Sequence, residues 1–184
     1  MYHAGNTLID PEALFEAVGL LSNQHVAIFG CGRTGHVVFP AAKKVGKDGI
    51  VYAVDIMKDV LTEVHKRASL TPIHQIHTVW SDVEQVGKTA IPKESLDVVF
   101  IVNILPLTKN QTNVLTEAIR LTKKYGRIIV ADWTKCELPF CPPQNRLVNF
   151  GTLKEWALTH GLSIEHEIEA GKYHTGIVFR KEKV

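Results

Sequence analysis

Val26-Ala27-Ile28-Phe29-Gly30-Cys31-Gly32-Arg33-Thr34-Gly35 is the stretch that decides the fold. The apolar residues Val26–Phe29 predict a buried strand, and the residues that follow, His36–Val45, predict a helix facing a core. Glycines between a strand and a helix let backbone amides approach a ligand closely, at the positive end of the helix dipole. The stretch therefore predicts an α/β protein with a ligand-binding turn at residues 30–35, called the glycine turn below.

A carboxylate stands at the matching position after the next predicted strand. The apolar run Ile50–Val54 ends at Asp55, twenty residues past Gly35. A strand-end carboxylate at this distance is placed to accept hydrogen bonds from a ribose. The glycine turn and Asp55 together predict a cofactor that contains a nucleoside, and they leave its identity open.

Composition sets broad limits on the protein. The chain has 184 residues, of which 45% are hydrophobic and 22% charged, as is ordinary for one soluble globular domain. A formal charge of +2 neither requires nor excludes nucleic acid. The N-terminal residues lack the pattern of a secretory signal, and no apolar run is long enough for a membrane span.

Cysteine content points to a compartment. Three cysteines, an odd number, favour a reducing cytoplasm over a disulfide framework. Cys136 and Cys141 lack a second ligand pair at zinc-like spacing, so we interpret them as loop cysteines with no special role and predict no metal site.

Strands and helices are predicted to alternate along the rest of the chain. Further helices are predicted at Pro11–Leu21, Lys58–Ala68, Thr108–Lys124 and Thr152–Thr159, and Pro40 is expected to bend the helix His36–Val45. Further strands are predicted at Ile73–Val79, Leu96–Val102, Arg127–Ala131, Leu162–Ile168 and Gly176–Phe179. No helical pattern separates the last two strands, so they should form an antiparallel hairpin.

This order predicts a doubly wound, Rossmann-like α/β sheet of seven strands, mostly parallel with an antiparallel C-terminal hairpin strand. We predict a single domain over residues 1–184. Residues 1–24 would form an N-terminal flap and helix, and residues 25–184 the cofactor-binding core.

NAD is one candidate for the nucleoside cofactor. The three glycines of the turn, with Asp55, match the dinucleotide fingerprint. A dehydrogenase, however, also needs a second mononucleotide-binding half and usually a substrate domain, which 184 residues barely allow. The closing hairpin also departs from a fold whose sheet is ordinarily parallel throughout.

The whole pattern resembles class I S-adenosylmethionine-dependent methyltransferases, and most closely the small bacterial group that shares the core of the ubiquinone/menaquinone-biosynthesis methyltransferases. The resemblance extends from about Leu8 to Arg180 and rests on the order of five stretches: His25–Gly35, Val51–Met57, Ser81–Val83, Leu96–Asn103 and Tyr125–Trp133. It implies S-adenosylmethionine as cofactor and methyl transfer to an unidentified small-molecule acceptor. A non-catalytic cofactor-binding module is the alternative.

The resemblance also implies roles for individual residues. The glycine turn would wrap the methionyl part of the cofactor, Asp55 would hold the ribose hydroxyls, and Asp82 would accept from the exocyclic amine of adenine. The cofactor-binding residues predicted in this way are Gly30, Cys31, Gly32, Gly35, Asp55, Ile56, Met57, Asp82, Val83 and Asn103, with Ile56 and Met57 against adenine and Asn103 beside the cofactor's amino end.

The sequence departs from the family's pattern at two places. Ile28 stands where the family usually has an acidic residue that orients the methionyl amine, and Arg33-Thr34 lengthen the glycine turn. A missing charge-assisted hydrogen bond predicts cofactor binding weaker by about 1–3 kcal/mol. Asp132 could substitute for the missing carboxylate, but we favour a helix-capping or loop role for it.

No catalytic residue is predicted. His36 and His174 are candidate bases near the sheet's carboxyl edge, and a surface or structural role is the favoured interpretation of both. The sequence after the fourth strand is Asn103-Ile104-Leu105-Pro106, which lacks the Asn-Pro-Pro-Tyr motif of some amide and exocyclic-amine methylases. The oligomeric state is left open.

Overall fold

The computed structural model describes residues 8–134 and 141–182. The strands are β1 (His25–Phe29), β2 (Ile50–Asp55), β3 (Ile76–Trp80), β4 (Leu96–Val102), β5 (Thr122–Trp133), β6 (Leu162–Gly171) and β7 (His174–Lys181). The helices are α1 (Pro11–Ala17), α2 (Val38–Val45), α3 (Lys58–Ser69), α4 (Gln111–Leu121) and α5 (Phe150–Thr159), with short 3₁₀ turns at Leu105–Leu107 and Gln144–Arg146.

The strands form one seven-stranded sheet in the order β3-β2-β1-β4-β5-β7-β6. The first five strands in this order run parallel, and β7 and β6 pair antiparallel to their neighbours. The predicted fold class is therefore confirmed. The chain leaves β1 toward β2 on one side and returns to β4 on the other, which creates the switch point where open α/β sheets bind ligands.

A hydrophobic layer covers each face of the sheet. Successive residues of a strand point to opposite faces, so Phe100 packs in the layer with α1, α2 and α3, and Ile101 packs in the layer with α4 and α5. Phe100 meets the Phe15 ring edge to face, with centroids 5.7 Å apart. Because both faces are covered, β4 is apolar along almost its whole length.

The first, second and fourth predicted helices are longer than those in the structure. The first ends at Ala17 and not near Leu21, because Gly19 adopts a φ of 57° and turns the chain back. The fourth spans Gln111–Leu121 and not Thr108–Lys124, since Asn110 caps its start and Thr122 begins β5 opposite Leu96. Residues 122–124, predicted as the end of this helix, therefore belong to strand β5.

Pro40 does not interrupt α2. The helix begins at Val38 and not at His36, so Pro40 is its third residue. Amides of the first turn have no partner within a helix, and a proline there removes no hydrogen bond. The physical reason for the predicted bend therefore does not apply.

The cysteines differ from one another. Cys31 is free and buried, whereas Cys141 is disulfide-bonded. The prediction that Cys141 has no special role is wrong, and Cys136 lies outside the described residues. Within the described parts of the chain, no helix combines the length and the apolarity that a membrane crossing needs.

Phe100→Ala tests the packing of β4 against α1. Removing a fully buried ring should lower the free energy of unfolding by about 3–5 kcal/mol, because transfer and cavity terms add. Leu158→Ala is the control, since Leu158 is 57% exposed and its truncation should change stability by less than about 0.5 kcal/mol. Urea unfolding measures both, and equal effects would contradict the packing described.

Candidate functional site

A cavity of about 570 Å³ opens at the carboxyl ends of β1 to β4. This volume lies within the range of about 300–1,000 Å³ that is common for small-molecule sites. Of the predicted cofactor residues, Gly30, Gly32, Asp55, Ile56, Met57, Asp82, Val83 and Asn103 line the cavity, and Cys31 and Gly35 do not. The other lining residues are Arg33, Val60, Ser81, Glu84, Val102, Ile104, Leu107 and Thr108.

Asp55 ties the glycine turn to the end of β2. Its Oδ2 accepts a hydrogen bond from the Gly32 amide at 3.2 Å, and its Oδ1 accepts one from the Met57 amide at 3.0 Å. The Asp55 Oδ2 also accepts from the Cys31 thiol at 3.8 Å. Since a carboxylate oxygen has two acceptor positions, Oδ1 is the oxygen that can still accept a bond from a ligand hydroxyl. The carboxylate is therefore fixed in orientation and faces the cavity.

Cys31 and Gly35 support the turn from behind. Burial and the neighbouring Asp55 charge raise the pKa of the Cys31 thiol to about 12, so it stays a neutral thiol and a poor nucleophile. Gly35 packs against Phe39, where an added Cβ would come within 2.7 Å of the ring. Both residues shape the turn without touching the cavity.

Gly30 allows the turn to approach the loop after β4. It adopts a φ of 67°, and a Cβ on it would lie only 2.1 Å from the Cγ2 of Ile104. A side chain is therefore excluded here by both conformation and space. The contact brings the ends of β1 and β4 together at the floor of the cavity.

The β2–β3 end of the cavity has apolar walls beside the carboxylates of Asp55, Asp82 and Glu84. Ile56 and Met57 are 58% and 52% exposed, which leaves apolar surface open toward the cavity. Asp82 is oriented by its own loop: its Oδ1 accepts from the Glu84 amide at 3.0 Å and its Oδ2 from the Gln85 side chain at 3.1 Å. Apolar surface beside a carboxylate suits a flat ring that carries an amine.

Glu84 and Glu117 hold the loop after β3, and our sequence reasoning missed both. Glu84 Oε2 accepts from the backbone amides of Lys109 and Asn110, at 2.9 and 2.7 Å. The contact joins the loop that carries Asp82 to the start of α4. The two amides that Glu84 binds lie 25 and 26 residues away in sequence, so no local pattern could have shown this contact.

Glu117 anchors the far end of the same loop. Its carboxylate accepts from the amides of Gly87 and Thr89 and from the Arg120 side chain. Burial alone would raise the pKa of Glu117, but these donors outweigh burial and lower it to about 2. The loop is thus fixed by a carboxylate that stays charged at neutral pH.

Asn103 ends β4 in an unusual conformation. Its φ is 56°, in the left-handed region, and its amide donates to the Ala131 carbonyl at 3.0 Å. Asn103 lines the cavity, and its side-chain Oδ1 is buried and has no hydrogen-bond partner. A buried oxygen without a donor is uncommon in folded proteins, and a bound ligand is one source of the missing donor.

Asp132 caps the 3₁₀ turn Leu105–Leu107, which follows β4. It is fully buried, and its carboxylate accepts from the amides of Leu105 at 3.1 Å and Trp133 at 2.8 Å. Burial raises the pKa of Asp132 to about 7, against the opposing effect of these amides and that of Ile104. The structure therefore shows the favoured capping role, and Asp132 does not line the cavity.

Position 28 and the candidate bases lie away from the cavity. Ile28 is buried in the layer under α1, α2 and α3. His36 hydrogen-bonds the Ile9 carbonyl at 2.9 Å. His174 packs against Trp133, and burial lowers its pKa to about 4 against the opposing effect of the Leu8 carbonyl. Neither histidine lines the cavity.

Comparison with known proteins identifies the family. Residues 22–178 match the sequence profile of the family described as methyltransferase domain. The chain belongs to this methyltransferase family. Family membership implies S-adenosylmethionine as the cofactor, as we predicted in preference to NAD.

Aklanonic acid methyltransferase DauC from Streptomyces sp. (strain C5) is one curated relative. The present chain and DauC are 29% identical over 126 residues. The match covers 67% of the present chain and 56% of DauC. The chain thus spans little more than half the length of this relative.

Solved structures share the fold. An S-adenosylmethionine-dependent methyltransferase from Aquifex aeolicus superposes with a TM-score of 0.85 at 21% identity, over 97% of this chain and 93% of that one. The [4+2]-cyclase SpnF has a TM-score of 0.78 at 12% identity, over 95% of this chain and 81% of its own. A cyclase on this fold shows that the fold alone does not specify the reaction.

Asp132→Asn should change how stability depends on pH. The pKa of this carboxyl is raised from 3.8 to about 7 by folding, so the native chain binds more protons than the unfolded chain between these values. The free energy of unfolding should therefore fall as pH rises through this window, by up to about 1.4 kcal/mol per pH unit. In the variant, the free energy of unfolding should not show this decline with pH. Urea unfolding across the window measures it, and parallel stability curves for the two proteins would contradict the assignment.

Proposed function

We propose that the cavity at the carboxyl ends of β1 to β4 binds S-adenosylmethionine and that the chain transfers its methyl group to a small-molecule acceptor. The observation that carries the proposal is the pair of oriented carboxylates, Asp55 and Asp82, at the ends of β2 and of β3. They suit a ligand with ribose hydroxyls and an amine edge. They disfavour the pyrophosphate of NAD, whose negative charge would lie near both.

The residues present fit the cofactor along its length. Asp55 would hold the ribose hydroxyls, and Asp82 would accept from the exocyclic amine of adenine. Ile56, Met57 and Val83 would pack against the adenine ring. The backbone of the glycine turn would follow the methionyl arm, because Gly32 lines the cavity and the space where its Cβ would stand is open. The unpartnered Asn103 Oδ1 would face the cofactor's amino end.

The chain's contribution to the reaction is orientation. When bound, S-adenosylmethionine supplies an electrophilic methyl group on a sulfonium. The hydrogen bonds of Asp55, Asp82 and Glu84 fix the loops that hold the nucleoside, which sets the direction of the methionyl arm. Orientation of two reactants can supply about 7–11 kcal/mol of a barrier. No described histidine lines the cavity, so the proposal includes no general base.

A small molecule is the acceptor class that the comparisons support. The relative DauC is named for aklanonic acid. The formal charge of +2 gives no electrostatic argument for nucleic acid, which stays an untested alternative. A cytoplasmic location likewise stays a prediction.

Titration calorimetry separates the two cofactors. S-adenosylhomocysteine should bind, and NAD should not. Binding of NAD without binding of S-adenosylhomocysteine would overturn the proposal. This experiment tests the cofactor only and needs no knowledge of the acceptor.

Methyl transfer itself needs a second experiment. Radiolabelled S-adenosylmethionine, incubated with a panel of small phenols, acids and amines, should label at least one of them in the presence of the protein. Binding of S-adenosylhomocysteine with no labelling across a broad panel would favour the non-catalytic module. RNA is included in the same assay. If RNA is labelled and no small molecule is, the acceptor is a nucleic acid.

Asp55→Ala tests the ribose site. Losing the charge-assisted bonds to the ribose should raise the Kd for S-adenosylhomocysteine by at least about tenfold. Asp48→Ala is a matched control, because Asp48 is exposed in the turn before β2 and does not line the cavity. Calorimetry on both variants measures the effect. Equal affinity in the Asp55 variant and the wild type would contradict the assignment.

A further inference from the structure

Three large apolar side chains are exposed and line the cavity. Ile56 and Met57 follow β2, and Leu107, which is 73% exposed, lies in the 3₁₀ turn after β4. Single exposed apolar residues are common on protein surfaces, but several around one cavity indicate a ligand. The proposed function uses Ile56 and Met57 for the adenine ring and gives no role to Leu107.

Leu107 lies too far along the sheet to contact the same adenine ring. Strand β1 stands between β2 and β4, so the ends of β2 and β4 are two strand spacings apart, about 10 Å. The glycine turn, which would follow the methionyl arm, begins at the end of β1 and so lies between them. The nucleoside and the methionyl arm would therefore leave the end of β4 open to a second ligand.

Ile104 connects Leu107 to the reacting end of the cofactor. Its Cγ2 lies so close to the glycine turn that a Cβ on Gly30 would be only 2.1 Å away from it. Both Ile104 and Leu107 line the cavity. Because the methionyl arm would lie along this turn, a molecule in contact with Ile104 and Leu107 would be beside the methyl group on the sulfonium.

Hydrogen bonds on both sides of Leu107 hold this apolar surface in place. The Leu107 amide donates to the Ile104 carbonyl at 2.9 Å, and the Thr108 hydroxyl donates to the Leu105 carbonyl at 2.8 Å. Asp132 accepts from the Leu105 amide at 3.1 Å. The turn is thus preorganised, so a ligand that binds against it does not have to order the chain.

The residues at the end of β4 also indicate the charge of that ligand. Among the described residues, those that line the cavity here are uncharged, namely Val102, Asn103, Ile104, Leu107 and Thr108, and the charged lining residues lie at the ends of β1, β2 and β3. A charged group against this surface would lose its hydration without gaining a partner. A cationic group would in addition be repelled by the positive sulfonium. This end of the cavity therefore favours an uncharged, apolar molecule.

We propose that Ile104 and Leu107 form the acceptor subsite and that the acceptor presents an uncharged, apolar ring to them. The inference rests on the proposed function, because it names the class of molecule that receives the methyl group. Fused aromatic alcohols belong to this class, whereas polyamines and small amino alcohols do not. Removal of apolar surface from water would supply most of the affinity of such a ring for Leu107.

The test measures binding of 2-naphthol to the chain saturated with S-adenosylhomocysteine. Since that ligand then fills the cofactor region, 2-naphthol must use another part of the cavity. Leu107→Ser should raise the Kd of 2-naphthol about fivefold to tenfold, because the apolar contact is lost. It should change the Kd of S-adenosylhomocysteine by less than about twofold. Equilibrium dialysis measures the first Kd, and titration calorimetry measures the second.

Two further variants separate this contact from the general effect of an apolar surface residue. Leu70→Ser is the matched control, because Leu70 is 78% exposed at the end of α3 and does not line the cavity. It should change neither Kd. Leu107→Met keeps an apolar side chain of similar volume, and its Kd for 2-naphthol should stay within about twofold of the wild-type value. Thermal unfolding confirms that each variant is folded.

A polar probe and a local signal complete the experiment. Ethanolamine, which is cationic at neutral pH, should bind at least about tenfold more weakly than 2-naphthol. In protein with isotope-labelled leucine methyl groups, the NMR signals of Leu107 are identified by their loss in Leu107→Ser. These signals should shift when 2-naphthol is added, and those of Leu70 should not.

The proposal is wrong if 2-naphthol does not bind the saturated chain, if its Kd is the same in the wild type and in Leu107→Ser, or if ethanolamine binds more tightly. Displacement of S-adenosylhomocysteine by 2-naphthol would also overturn it, since the probe would then occupy the cofactor region. Failure of the wild type to bind S-adenosylhomocysteine at all is a separate outcome, because it would overturn the proposed function itself.

Discussion

The Asp55 carboxylate joins the two loops on which the cavity depends. One oxygen accepts from Gly32 in the glycine turn, and the other accepts from Met57, in the short loop between β2 and α3. The parallel pairing of β1 and β2 brings these loops to the same edge of the sheet, and the carboxylate then sets their separation. The side chain that organises the two loops is also the one that would receive the ribose, so folding and binding would use the same carboxylate.

The backbone around this interaction could be predicted largely from sequence, because its signals are local. Leu96–Val102 is apolar at every position except Asp97, and the structure has β4 over those residues. Errors occurred where tertiary contacts override local preference. Thr122 continues a helical pattern in sequence, but its pairing with Leu96 makes it the first residue of β5. A helical pattern in the sequence cannot show where the chain will instead pair with a neighbouring strand.

Much of the candidate site was also visible in the sequence, since a glycine or a carboxylate at a strand end is a positional signal. What could not be seen is how the loops are fixed. Glu84 and Asp132 act on backbone amides of the segment between β4 and α4, and these partners meet only after the sheet has formed. The unpartnered oxygen of Asn103 is likewise a property of the packed structure. The sequence alone indicates only that an asparagine follows a predicted strand.

The chain belongs to the methyltransferase family, and its cavity has carboxylates where β2 and β3 end and the Asn103 side chain where β4 ends. A crystal structure of the chain with S-adenosylhomocysteine tests this arrangement most directly. We expect the ribose hydroxyls on Asp55, the adenine ring between Met57 and Val83, and the methionyl arm along the glycine turn. A ligand bound in the reverse direction, or outside this cavity, would contradict it.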